Sequence, residues 1–172
     1  DPLYGWCNKN KKKNGEPYSI YTDGLRVHTT IDSRMQKYAE MAVQKHVAGY
    51  LQPAFDKANL KKPNAPFSKD LSASQVKNIL MRSVRQCERY RALKESNASD
   101  AEIEKSFRTP VRMSIFTYHG EVDTTMTPID SIKYYKSFLR TGFMSICPQN
   151  GHVKAYVGGL NFSHFAYDMT SR

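Results

Sequence analysis

The groups in this chain that could do chemistry are five histidines, three cysteines and a scatter of serines and acids. His28, His46, His119, His152 and His164 include no pair at the H-x-x-x-H spacing that sets two imidazoles on one helix face, so a zinc site of that kind is not expected. Cys7, Cys87 and Cys147 form no C-x-x-C pair and are odd in number. They read as buried or incidental thiols, with one long-range disulfide left open. Cys147 and His152 flank a predicted turn, yet cross-strand neighbours at a hairpin end are common without any thiolate–imidazole catalysis. Glu121, Asp123 and Asp130 are the nearest approach to a carboxylate pair for glycoside chemistry, and Asp130 suits a helix cap better. No G-x-S-x-G, P-loop or G-x-G-x-x-G is present. Ser-x-x-Lys is expected to be absent in any plausible setting, since Ser33, Ser68 and Ser83 are not followed three residues later by Lys, and Thr30 and Ser131 fare no better. The reading assigns no catalytic, cofactor-binding or metal-binding residue.

Composition leaves binding and structural roles open. Lys+Arg 26 against Asp+Glu 16 gives a net charge of +10, which favours polyanionic partners, and 40% hydrophobic residues in 172 suffice for a core. No apolar run approaches the ~20 residues that cross a bilayer, and no signal peptide opens the chain, so the region as given is expected to be soluble. The lysine runs Lys9–Lys13 and Lys61-Lys62 fit solvated loops.

The elements that must position these groups read as α+β: small antiparallel hairpins packed with amphipathic helices, and a helical insertion in the middle. Residues 1–17 are a linker arm that Trp6, beside Leu3 and Tyr4, is expected to pin onto the body of the protein by burying aromatic area, with ligand stacking by Trp6 as the alternative. Residues 18–50 begin with two short β-prone runs, Tyr18–Thr22 and Leu25–Ile31, around an Asp23-Gly24 turn. Asp32 then caps a helix from Ser33 to about Ala48, with Met35, Tyr38, Ala39, Ala42, Val43 and Val47 on its apolar side, and Gly49 ends it.

Residues 51–140 form the insertion. Leu51–Lys69, with Pro53, Pro63 and Pro66, is mainly loop. Asp70–Glu95 is helical, its apolar stripe running Leu71, Val76, Ile79, Leu80, Val84, Cys87, Tyr90 and Leu93. Opposite lies a basic row, Arg82, Arg85, Arg89 and Lys94, the candidate partner-binding face. Ser99 to Glu102 is a capping box, His119-Gly120 the tight turn of a hairpin, and Thr127-Pro128 the start of a helix from Ile129 to Arg140.

Residues 141–172 hold a second hairpin. Phe143–Cys147 and Val153–Val157 flank the turn Pro148–Gly151, and the run closes on Gly158-Gly159, where the missing Cβ atoms permit a sharp turn or close approach.

Two blocks of this sequence resemble the class A, bifunctional penicillin-binding proteins. Gly151-x-Val153-x-Ala155-x-Val157-Gly158-Gly159, followed by Phe162 and Tyr167-Asp168, is similar to the lead-in of their transpeptidase domain, and Gly24-Leu25-x-Val27-x-Thr29-Thr30-Ile31-Asp32 with Gln36, Ala39-Glu40 and Ala42-Val43 is similar to the run after their glycosyltransferase domain. The resemblance leaves residues 50–140 unexplained. It implies a parent anchored in the cytoplasmic membrane and acting outside it, with a glycosyltransferase and a D,D-transpeptidase, whose serine motif is expected beyond Arg172. This region would be a non-catalytic, periplasmic or extracytoplasmic spacer. Its expected partners are the other domains of the same polypeptide, peptidoglycan or cell-wall synthesis regulators, with no nucleic acid and no cofactor. The alternative is an independent basic module that binds an acidic polymer through the Arg82 row, and a third reading is a small enzyme with an unrecognised site. An unpaired hairpin edge also predicts association between copies.

Overall fold

The computed structural model describes residues 2–59 and 61–171, with side chains from Gly5 onward apart from Leu60 and Arg172. The expected packing of Leu3 and Tyr4 lies outside those described side chains. Residues 1–30 and 31–172 are separate compact units.

The first unit contains α1 (Pro2–Lys9), where the sequence suggests only a linker arm. Proline at the helix start lacks a donor the first turn cannot use anyway. Trp6 packs on Tyr18 in a tilted arrangement, ring centroids 5.6 Å apart. The hairpin expected around Asp23-Gly24 does not form. The Asp23 carboxylate accepts the Ser19 N–H at 2.6 Å and the Lys12 ammonium at 3.0 Å, and the Asp23 N–H bonds the Ser19 carbonyl. This network curls 19–23 into a local turn, with the Asp23 pKa lowered mainly by the Ser19 bond. Local side-chain bonding has displaced the ladder that β-propensity favoured.

The second unit opens with α2 (Ser33–His46), capped by Asp32 as its sequence dictates: Oδ1 accepts the Arg34 and Met35 N–H groups at 2.9 and 3.1 Å. Its packed stripe is narrower than predicted. Ala39, Val43 and Val47 are buried or half-buried, whereas Met35, Tyr38 and Ala42 face out, because the sheet beneath has only two strands to cover. Gly49 does not end the helix. The chain widens into a π turn, Val47–Leu51, and continues as α3 (Gln52–Asn59). Pro53 explains the widening: it cannot donate to Gly49, and the Gln52 N–H instead reaches back five residues to the Val47 carbonyl.

The predicted helix Asp70–Glu95 is two helices, α4 (Ala73–Gln86) and α5 (Glu88–Glu95), broken at Cys87 with ψ 146°. No proline or glycine marks the break; it lets Tyr90 and Leu93 turn onto the cluster of Val84, Ile103 and Phe107. α5 ends on Asn97 at φ 58°, with the Ala98 N–H bonded to the Leu93 carbonyl and the Asn97 N–H to that of Lys94. That paired closure satisfies two terminal carbonyls. The capping box at Ser99 opens α6 (Asp100–Arg108), as expected. β1 (Val111–Thr117) and β2 (Gly120–Met126) form the first hairpin, turning at Tyr118-His119 rather than His119-Gly120, with Gly120 opening β2 at φ 117°.

α7 (Pro128–Ser137), capped by Thr127, packs on α4 and α6 and stops short of the predicted Arg140. The second hairpin, β3 (Phe143–Ile146) and β4 (Val153–Val157), is antiparallel with an irregularity at Ser145/Ile146, and Gly151 takes φ 71° in its turn. Ala155 and Val157 meet Ala39 to form the small core under α2. The whole is α+β, helices with two small antiparallel sheets, as its sequence indicates.

Candidate functional site

The predicted basic row does not lie on one helix. The break at Cys87 places Arg82 and Arg85 on α4 and Arg89 and Lys94 on α5. All four are exposed, but Arg89 donates to the Ser106 hydroxyl at 2.9 Å and Lys94 pairs with Asp100 at 2.7 Å. Lys94 is held above the usual lysine pKa by that bond, and Asp100 below the usual carboxylate value. Among the described residues Arg82 and Arg85 alone of the four make no hydrogen bond or ion pair. The row is therefore two cations with no hydrogen bond or ion pair, of which Arg85 still acts through its charge on Asp100, plus two engaged cations.

The glycine doublet has a different geometry from a simple loop. A Cβ on Gly158 would lie 2.8 Å from Asp168 Oδ1, while one on Gly159 would make ordinary contacts near 3.7 Å, so only the first glycine is demanded by space. What approaches Gly158 is the chain's own return: the Met169 N–H bonds the Gly158 carbonyl at 2.8 Å. Asp168 accepts the Tyr156 hydroxyl at 2.5 Å, the Thr170 N–H and hydroxyl at 2.8 and 2.7 Å, and the Ser171 N–H and hydroxyl at 3.3 and 2.9 Å. These bonds, Tyr156 first, hold its carboxyl far below the usual range. Gln36 closes the outer edge of β4 as a strand would, its amide donating to the Tyr156 carbonyl at 2.9 Å and accepting the Tyr156 N–H at 2.7 Å. An open groove of about 290 Å³ lies between Gln36, Tyr156, Gly159 and Phe162.

An acid response follows from the Asp168 bonds. The folded pKa is depressed, so the stabilisation is fully present above the unfolded carboxylate value, about 3.9, and is lost as pH falls through the folded value. The thermal midpoint difference between wild type and Asp168→Asn should be largest near neutrality and shrink below about pH 4, read by circular dichroism melts. A pH-independent difference would contradict this.

The other candidates separate. Glu121 pairs with His164, Asp123 with Arg112 and Asp130 with Thr127 and Lys133, so the carboxylates discounted for glycoside chemistry each have a different partner. Cys147 meets His152 only through the main chain, and its thiol contacts Gln149. All three cysteines are free. The expectation that Ser-x-x-Lys is missing needs correction, because Ser74-Gln75-Val76-Lys77 has that spacing in the first turns of α4. Both residues are exposed, and the Ser74 hydroxyl contacts Ser72 at 3.1 Å, not Lys77. A nucleophilic serine needs its base within hydrogen-bond reach, and the Ser74 hydroxyl pairs with Ser72 rather than with Lys77.

Gln36 was legible as a member of the motif block and a polar residue on the packed side of α2, though its bonds to β4 were not. Gln52 carried little signal. Gln52, 6% exposed, donates to the Ser137 carbonyl and Asp56 and accepts from the Leu139 N–H and Tyr118 hydroxyl, and nothing in its proline-rich surroundings marks it.

Residues 62–139 match the family model described as the penicillin-binding protein middle domain. The match begins in the loop before α4 and ends just after α7, enclosing the cluster of Val84, Ile103 and Phe107 and the first hairpin. The match supports reading this stretch as a penicillin-binding protein middle segment. Searches of curated proteins and of solved structures return no match. The matched segment falls on the stretch that the two motif blocks leave unexplained.

Proposed function

We propose that this region is the non-catalytic spacer of a bifunctional peptidoglycan synthase in bacterial cell wall biosynthesis, a glycosyltransferase joined to a D,D-transpeptidase. The observation that carries it is order: the middle-domain match lies between a block similar to the run after the glycosyltransferase and one similar to the transpeptidase lead-in. The setting is extracytoplasmic, with the parent held in the cytoplasmic membrane. No helix among the described residues is long and apolar enough to cross a membrane. Acylation tests the reading: a fluorescent penicillin should leave this chain unlabelled, and covalent labelling would contradict it.

A second role, docking of acidic cell-wall polymer, draws support from the exposed cations Arg82 and Arg85, which make no ion pair among the described residues. If they dock it, cosedimentation with peptidoglycan should fall as salt rises and be lost in R82E/R85E. Unchanged binding in the variant would leave the pair as solvated surface.

A further inference from the structure

After Val157 the chain leaves β4, and it returns at Met169, so residues 159–168 form a loop with its base pinned by the Gly158–Met169 bond and the Asp168 carboxylate. Its tip is buried elsewhere. Phe165 is 5% exposed, ringed by Phe116 of β1 at 5.1 Å, Tyr135 of α7 at 5.7 Å and Phe138 at 5.6 Å, with the Arg140 guanidinium 3.9 Å over its ring. Beside it, one imidazole joins three elements: His164 Nε2 lies 2.8 Å from Glu121 of β2 and Nδ1 lies 3.3 Å from the Tyr135 hydroxyl, which also accepts the Phe116 N–H at 3.1 Å. With the proton on Nε2 these form a chain from the Phe116 amide to the Glu121 carboxylate, each donor meeting an acceptor.

Phe116, Glu121, Tyr135 and Phe138 all belong to the matched middle segment, whereas His164 and Phe165 belong to the loop after the glycine doublet. We propose that His164 and Phe165 are a strap by which the middle segment holds that loop, so that displacement of the middle segment is transmitted to Gly158 and Asp168. An isolated surface loop of this length would be closed by its own side chains. This one has its largest buried side chain in a neighbour's aromatic socket, where tilted ring pairs add to area burial. The strap gives a spacer a mechanical output: the segment that sets domain spacing also sets the position of the loop beyond β4. It goes beyond the spacer reading, and its failure would leave the penicillin result untouched.

Hydrogen exchange by mass spectrometry on the full chain tests it. Phe165→Ala should raise exchange across residues 165–171 about tenfold or more, while amides of α4 and α6 keep their rates. Tyr135→Phe, which removes one hydroxyl from the middle segment and keeps the ring, should raise exchange in the same 165–171 stretch about threefold. Arg108→Ala, in the middle segment but away from the socket, should leave it unchanged. No change at 165–171 in Tyr135→Phe would overturn the strap, and so would an equal rise in α6, which would make the contact ordinary core. Tyr135→Phe alone decides the matter if Phe165→Ala unfolds the chain.

Discussion

Phe107→Ala should lower unfolding stability by about 3–5 kcal/mol, the usual cost of removing a buried phenyl ring, measured as a shift in urea midpoint at constant slope. Phe107 is 4% exposed and shares a buried cluster with Val84 and Ile103, against which Met81, Tyr90, Leu93 and Ile132 pack, so the cluster joins α4, α5, α6 and α7. Small clusters leave little alternative packing to close a cavity of that size. Against a total stability of about 5–15 kcal/mol, that loss is a large share. A cost below about 1 kcal/mol would mean that the four helices do not share this core.

Gln52→Leu should be the second most damaging substitution. It keeps the size of the side chain and removes every side-chain hydrogen bond, so the Ser137 carbonyl and the Leu139 N–H lose their side-chain partner where α3 meets the end of α7. Both main-chain groups are only partly buried, so each falls at the low end of the about 1–3 kcal/mol for an orphaned group, and the expected loss is about 1–2 kcal/mol by denaturant melts. Tyr118→Phe serves as the comparison, since it deletes only the 3.3 Å bond to the same amide and is expected to cost less than about 1 kcal/mol. Equal effects of the two variants would show that Gln52 is not the hub its geometry indicates.

What could be read from residues alone follows the range of the interactions involved. Asp32, Ser99 and Thr127 announce helix starts because a capping oxygen bonds donors two or three residues ahead. Val153, Ala155 and Val157 announce a strand because alternation is local. Legibility failed wherever a distant group decided the outcome. The Leu25 run lost its expected partner to the Lys12–Asp23–Ser19 network, and the break at Cys87 answers to the packing of Tyr90 and Leu93 rather than to any breaker residue. Pro53 was visible, but its effect was to widen a turn instead of stopping the helix. The basic row looked continuous because a single helix was assumed. Gly158-Gly159 marked the right place, yet which glycine mattered depended on Asp168, ten residues on.

Ser74 and Lys77 make the acylation measurement the most direct test of the non-catalytic role, because they offer the chain's own Ser-x-x-Lys spacing on an exposed helix turn. Intact-mass analysis after incubation with a penicillin, on wild type and Ser74→Ala in parallel, should show unmodified protein in both. A stoichiometric penicilloyl adduct on the wild-type chain that disappears in the alanine variant would place a working nucleophile in the middle segment and contradict the spacer assignment.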